Sequence, residues 1–263
     1  MNNIIEFKDV IVKRGQKIVL NNINLSISKD EFVTIIGPNG AGKTTLVKCI
    51  NGMQKISSGE IKVIFNNIIY NKFSKIRKKI GFVSQQFYFD SKFPISVYDV
   101  VSIGRFGIRG IMKNLTKDDE EIINMSLEKV GIIHLSKKPI GHISGGELQK
   151  VSIARVLVQE PEIIIFDEPT SNLDLRSQEE ILRLIENIYL EKKSTIIFIT
   201  HFLSHISTKS SKVVLIKNGE IVSCGNYDDV LNESILSKLY DSKVEVSELN
   251  GRKHFHISGT HLV

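Results

Sequence analysis

GPNGAGKTT, residues 37–45, lies between the apolar run FVTIIG (32–37) and TTLVKCINGM (44–53). Gly37, Gly42, Lys43 and Thr44 fit the spacing G-x-x-x-x-G-K-[ST]. Glycines at these places let a loop wrap a phosphate so that backbone N–H groups point inward. A lysine at the sixth position reaches the outer phosphates, and the hydroxyl after it can join a Mg²⁺ shell. The run before the loop is short and β-rich, as a buried strand is. The segment after it reads as a helix. A strand feeding a helix through such a loop points to a parallel α/β sheet. A glycine-rich turn with no ligand is the plain alternative, and the flanking strand and helix argue against it.

The rest of the chain fits that frame. IIEFKDVIV and KIVLNNINLSIS, turning at Arg14-Gly15, suggest a small antiparallel sheet at the N-terminal side. More strands follow in GEIKVIFNN and KIGFVSQQ. From about 90 to 145 the texture is helical. SVYDVVSIGRFG is entered from Pro94, and KDDEEIINMSLEKVGI has Thr116 as a plausible cap and acidic residues in its first turn. ELQKVSIARVLVQE (147–160) reads as a helix ended by Pro161, EIIIFDEP as a buried strand, RSQEEILRLIENIYLEKK as a helix, and STIIFITH as another buried strand. KVVLIKNGEIVSCG is a hairpin turning at Asn218-Gly219. Strands alternating with helices give a mostly parallel core sheet covered on both faces.

Bulk properties exclude several classes. The 263 residues suffice for one large domain with a sizeable insertion. At 41% hydrophobic and 24% charged, the composition is that of a soluble globular protein. No apolar run reaches the ~18–20 residues a membrane helix needs, and MNNIIEFKDVIVKRG has no secretory pattern. Cys49 and Cys224 have no metal-ligand spacing and read as free core thiols. The net charge of +6 is scattered, with one dense run, SKIRKK (74–79), that reads as a solvated surface. No nucleic-acid partner is indicated.

Further motifs lie at the ends of predicted strands. Asp167 closes IIIFD, where it can hold Mg²⁺, and Glu168 is expected to point to the strand's other face and to orient or activate a water. His201 ends STIIFITH. In an open parallel sheet, ligands sit beyond the carboxyl ends of the strands, so His201 is expected on the same rim as Gly37 and Glu168. Gln85 ends KIGFVSQ, and its amide oxygen can join the Mg²⁺ shell or hold a water. Gln86 competes for that role, and position after the strand favours Gln85. In HISGGELQK (142–150), Ser144 and Glu147 have the spacing of a capping box, yet two glycines occupy the first turn. Glycine is a poor helix former but permits close approach, and a helix N-terminus favours an anion. A cap alone and a cap that also binds phosphate are both open on this reading.

GPNGAGKTT, Gln85, ISGGE, IIIFDE, SNLD and His201 occur in the order and spacing of ABC-type ATPases, which the chain resembles over about residues 4–250. The resemblance implies a P-loop NTPase fold of ABC type with an N-terminal antiparallel β-subdomain and a helical subdomain at about 90–145. It implies a single ATPase domain over 1–240 and a tail over 241–263. ATP and Mg²⁺ are the implied ligands. Gly37, Pro38, Asn39, Gly40, Ala41, Gly42, Lys43, Thr44 and Thr45 would hold ATP. Thr44, Gln85 and Asp167 would hold Mg²⁺, with Glu168, His201 and Gln85 as the catalytic group. Two such domains pair head to tail, so Ser144, Gly145, Gly146 and Glu147, with Asp174 of the D-loop, would meet a nucleotide held by the partner in a homodimer. Family members often stack adenine on an aromatic residue near position 14; here Arg14 stands there, and a guanidinium can also stack on a base. The signature reads ISGGE where LSGGQ is commoner.

The resemblance extends to importers of metal ions and of metal chelates (manganese, zinc, iron, siderophore, haem, cobalamin), on KFPISVYDVVSIGRFG and on LNESILSKLYDSKVEVSELNGRKHFHI. It implies a peripheral subunit on the cytoplasmic face of the cell membrane, working with integral permease subunits that an extracytoplasmic solute-binding protein contacts. The alternative is a soluble ABC ATPase without a transport role, such as an iron–sulfur assembly scaffold ATPase. His254, His256 and His261 match no fixed ligand set and read as solvated.

Overall fold

A computed structural model describes residues 3–66, 68–69, 76–85, 87, 94–110, 113–191, 194–249 and 252–258. The chain forms two compact units, Met1–Phe73 with Thr195–Val263, and Ser74–Ser194.

In the first unit the N-terminal alternation becomes a hairpin of β1 (Asn3–Arg14) and β2 (Lys17–Ser28). With β4 (Ser58–Phe65) and β5 (Ile68–Ile69) it makes an antiparallel sheet in the order β2-β1-β4-β5. The register shifts between Phe7 and Val10, where Asp9 takes φ +49°, and this bulge lets Ile5, Phe7, Val10 and Val12 all be buried. A second sheet has β3 (Phe32–Ile36) at its middle, parallel to β8 (Thr195–Thr200) on one side and β9 (Lys212–Lys217) on the other. β10 (Glu220–Gly225) adds an antiparallel edge through a turn with Asn218 at φ +50° and Gly219 at φ +80°. Every residue of β3 and β8 is buried, which is why both read as unbroken apolar runs.

Helix α1 (Lys43–Ile50) follows β3; it stops three residues short of the sequence expectation because Asn51 caps it and Gly52 turns left-handed at φ +68°. Helices α6 (Tyr227–Val230) and α7 (Glu233–Tyr240) bring Val230, Leu236 and Leu239 into one buried cluster with Val213 and Leu215 of β9. The stretch expected to be a tail contains a hairpin, β11 (Lys243–Leu249) with β12 (Arg252–Ser258). Val244 is buried in a cluster with Val213, Leu215, Leu231, Leu236 and Leu239, and Val246 and Phe255 pack against it. His254 and His256 are exposed, and His261 lies outside the described residues.

In the second unit β6 (Ile80–Val83) runs parallel to β7 (Ile163–Asp167). Among the described residues four α-helices accompany them: α2 (Val97–Arg109), α3 (Lys117–Lys129), α4 (Gly145–Leu157) and α5 (Leu175–Leu190). Ser96, Thr116 and Ser144 each accept from the N3 backbone while the N3 carboxylate accepts from the cap residue's own N–H. Each such box satisfies two N–H groups the helix leaves open and stabilises it by about 1 kcal/mol.

Buried Asp119 does more than cap α3. It accepts from Arg105 Nε at 2.8 Å and is ion-paired with Arg109. Arg105 Nη1 also donates to Val158 O at 2.8 Å and Glu160 Oε2 at 2.9 Å. Burial alone would raise the Asp119 carboxyl, but the Thr116 N–H, Arg109, the Thr116 hydroxyl and Arg105 together hold it well below the usual range. This network ties α2, α3 and the end of α4 together.

No helix among the described residues is long and apolar enough to cross a membrane. Cys49 is buried and its thiol is pushed up to about 12 by burial, against a smaller pull from Arg14; Cys224 is exposed, so only Cys49 is the core thiol the sequence suggested.

Candidate active site

The loop Gly37–Thr45 begins where β3 ends. Lys43 is 4% exposed, and its Nζ donates to Gly37 O at 2.8 Å and Pro38 O at 3.0 Å. The ammonium is therefore held against the loop's own carbonyls. Gly42 caps α1 without a side chain, so the first N–H groups of that helix have no side-chain cap. Those N–H groups and the ammonium together favour an anion.

Packing also requires the glycines. A Cβ on Gly37 would lie 2.0 Å from Ile216 O, and one on Gly42, at φ +106°, would lie 2.8 Å from Leu20 Cδ2. The β9–β10 turn buttresses the loop: Gly219 N donates to Ala41 O at 2.9 Å, while Gly219 O accepts from Asn21 N at 2.8 Å. Sequence reasoning found this turn but not its role, since nothing local links residue 219 to residue 41.

Pro38, Asn39 and Gly40 form the outer part of the loop, with Asn39 and Gly40 exposed; Ala41 and Thr45 are buried and Thr44 is half-buried. Arg14 is exposed at the end of β1, its Nη2 donating to Gln54 Oε1 at 3.4 Å. His201 follows β8 directly, with its ring centroid 3.9 Å from that of Phe202.

In the second unit Asp167 ends β7 and is 4% exposed. Glu168 follows β7 directly but is not part of the strand. It leaves the strand at φ +50° and is 8% exposed, and its carbonyl accepts from Ser171 N and Oγ. The tight turn after β7 imposes this left-handed conformation, which costs a residue with a side chain about 1–3 kcal/mol. Gln85, two residues past β6, donates from Nε2 to Glu168 Oε2 at 3.3 Å. Gln86 lies outside the described residues.

The Ser144 box is the cap the sequence implied. The Glu147 carboxyl lies below its usual range, chiefly through the Ser144 N–H and then its hydroxyl. The two glycines beside it differ. A Cβ on Gly146 would sit 2.8 Å from Ser177 Oγ, so contact with α5 requires glycine there. A Cβ on exposed Gly145 would meet only Leu173 Cδ2, at an ordinary 3.7 Å. Among the described residues nothing explains glycine at 145. Asp174 caps α5, accepting from Ser177 N at 2.9 Å and Ser177 Oγ at 2.8 Å.

The sequence profile of the ABC transporter family matches residues 20–171, more than half of the chain. The manganese transport system ATP-binding protein MntB of Halalkalibacterium halodurans is 33% identical over 93% of this chain and 94% of its own length. Relatives between 30% and 36% identical include petrobactin and iron(3+)-hydroxamate import proteins of Bacillus subtilis, a phosphonates import protein of Fusobacterium nucleatum and the glutamine transport protein of Escherichia coli. Among solved structures, a metal-chelate type ABC transporter in an inward-facing conformation superposes with a TM-score of 0.84 at 25% identity, covering 100% of both chains. An ATP-binding cassette solved as a dimer with ADP and Pi gives a TM-score of 0.71 at 28% identity, over 84% of this chain and 98% of that one. The chain belongs to the ATP-binding domains of the ABC transporter family. It is an ATP-binding protein and an ATPase.

Proposed function

We propose that this chain is the ATP-hydrolysing subunit of an importer whose cargo is a metal ion or a metal chelate. One observation carries the cargo class. The match to the metal-chelate type transporter runs from end to end of both chains and so takes in the β11–β12 hairpin. The manganese, petrobactin and hydroxamate relatives support the same class. The chain would sit peripherally on the cytoplasmic face of the membrane, against permease subunits that an extracytoplasmic solute-binding protein contacts.

Each residue has a role in this reading. The loop Gly37–Thr45 and Lys43 bind the phosphates of ATP, and Arg14 stacks on the adenine. Thr44, Asp167 and Gln85 offer a hydroxyl, a carboxylate and an amide oxygen, hard donors of the kind Mg²⁺ takes. Gln85 gives its Nε2 to Glu168, which leaves its oxygen for that shell. The ion would neutralise charge on the outer phosphates. Glu168, held by Gln85, orients and deprotonates the attacking water, and His201 donates to the γ-phosphate. Ser144, Gly145 and Gly146, with Glu147 behind them and Asp174 nearby, serve the ATP held by Lys43 of the partner subunit. Exposed Gly145 supports this, because no close contact among the described residues requires its missing side chain. Closing the dimer on ATP and reopening it after hydrolysis would drive the permease.

The cargo is tested by deleting the chain in its native cell and measuring cellular manganese, zinc and iron, with uptake of labelled glutamine in parallel. Lower manganese, zinc or iron with normal glutamine uptake is expected. Normal metal content with impaired uptake of the amino acid would overturn the cargo class.

A further inference from the structure

The β11–β12 hairpin sorts its residues between two faces. Its antiparallel register sets Val244 opposite Ile257, Glu245 opposite His256, Val246 opposite Phe255 and Ser247 opposite His254. Side chains alternate along a strand, and directly paired residues share a face. Val244, Val246 and Phe255 turn inward onto the cluster that holds Leu236 and Leu239. His254 and His256, two positions apart on β12, therefore share the outer face with Glu245, Ser247 and Lys243, and all five are exposed. In the sequence alone the two histidines match no ligand set; the pairing of the strands gives them a carboxylate for a neighbour.

Residues two apart on a strand have Cα atoms about 6.5 Å apart. A ring nitrogen binds a zinc ion at about 2.0–2.1 Å, so two imidazoles leaning together can share one ion. Glu245 stands directly across from His256 and diagonally from His254, at Cβ separations of about 4.5–5.5 Å and 7–8 Å. Among the described residues neither imidazole has a hydrogen-bond or ion-pair partner. Glu245 Oε1 accepts from Lys243 Nζ at 2.8 Å, in a pair whose side chains are 50% and 73% exposed. Among the described residues no three such groups already stand where they would hold a metal. Closing the site therefore needs Glu245 to swing off Lys243 and the two rings to turn. An exposed ion pair parts at little cost, and exposed side chains change rotamer freely.

We propose that His254, His256 and Glu245 form a binding site for a divalent ion of the zinc kind on the outer face of the hairpin. Two imidazoles and a carboxylate, with water in the fourth position, are a tetrahedral zinc donor set. Imidazole suits zinc, copper and nickel, whereas manganese and magnesium favour oxygen donors. The ion joins β11 to β12 on the side away from the core and so holds their register. The site does not depend on which cargo the chain's importer carries.

The test is calorimetric titration of the purified, nucleotide-free full chain with Zn²⁺ and with Mn²⁺, and amide hydrogen exchange with and without Zn²⁺. The wild type is expected to take up one Zn²⁺ per chain at micromolar concentration, to bind Mn²⁺ far more weakly, and to show slower exchange across Lys243–Ser258 when zinc is present. One variant combines His254→Thr with His256→Thr, since threonine suits an exposed strand and leaves the fold intact. It is expected to lose both the zinc uptake and the added protection while hydrolysing ATP at the wild-type basal rate. Glu245→Gln is expected to weaken zinc binding by more than the roughly tenfold lost with an outer-shell partner. Lys243→Ala, which releases Glu245, is expected to tighten it. No zinc uptake by the wild type, or uptake that survives loss of both histidines, would overturn the proposal. Binding indifferent to Glu245→Gln would overturn the cross-strand site, and Mn²⁺ bound as tightly as Zn²⁺ would point to oxygen donors elsewhere and overturn it too.

Discussion

Glu168 is a buried carboxylate held in a backbone conformation unfavourable for any side chain except glycine. Its neighbour Gln85 donates to it. Glu168→Gln keeps the size of the side chain and removes the base. The variant is expected to bind ATP as the wild type does while turnover falls about 10²–10⁴-fold, the range for a positioned general base. Equilibrium binding of a fluorescent ATP analogue and single-turnover phosphate release separate the two effects; undiminished hydrolysis would remove Glu168 from the water. Gly145 asks a different question. Gly145→Ala meets no close atom among the described residues and improves helix propensity, so thermal stability is expected to hold or rise. Hydrolysis is nevertheless expected to fall at least tenfold, since roughly 1 Å of misplacement at a reacting centre costs about a hundredfold. Full activity in a stable Gly145→Ala protein would leave α4 with an ordinary cap. Both residues stand out in the sequence by their motifs. The left-handed turn at Glu168 does not, because the preceding run IIIFD continues as a strand and only the close return at Ser171 bends it.

Among the elements, α2, α3 and the end of α4 depend on a buried charge network more than on their caps. Asp119 offers both the box with Thr116 and the counter-charge to Arg105. Asp119→Asn leaves Arg105 buried without its full partner set, and about 3–5 kcal/mol of stability is expected to go, well beyond the ~1 kcal/mol of a lost cap. Chemical denaturation measures this, and a loss near 1 kcal/mol would mean that Glu160 suffices for Arg105. The pH dependence has a definite sign. The folded Asp119 carboxyl titrates below its unfolded value of about 4, so its stabilisation is complete above that pH and drains as the pH falls toward the folded value. The acid limb of the stability curve is therefore expected to flatten in Asp119→Asn. Thr116 as a cap is legible in TKDD; the link from Arg105 to Asp119 and Glu160 is not, because it spans 14 and 55 residues.

At the scale of the whole molecule, the C-terminal hairpin and the dimer carry the expectations. Phe255 and Val246 cover a cluster that includes Leu231, Leu236 and Leu239. Phe255→Ala is expected to cost about 2 kcal/mol, less than a fully buried phenylalanine because the ring is only half-buried. At about 2–4 °C per kcal/mol for a chain of this size, Tm should fall by some 4–8 °C. An unchanged Tm would mean that the hairpin rests on the core without stabilising it. On the proposed reading, one copy each of the phosphate loop and the signature would leave the site incomplete in a single chain, and two-fold pairing would complete it most simply. Glu168→Gln with ATP is expected to run as a dimer in size-exclusion chromatography and the nucleotide-free protein as a smaller species; a monomer under both conditions would contradict the shared site.

The sequence by itself determined the family, the phosphate loop, the carboxylates at the end of β7 and the caps of α3 and α4. Each of these is local, written in residues within a few positions of one another, where glycine, hydroxyl and carboxylate chemistry depends on spacing alone. The tertiary structure decided why Gly37, Gly42 and Gly146 must be glycine, what braces the loop at Ala41, which acid answers Arg105, and that β11 and β12 form a hairpin over a core. These depend on atoms distant in sequence meeting at 2–4 Å, and a hydrophobic alternation as short as KVEVSEL acquires its inward face only when there is a core to turn it toward.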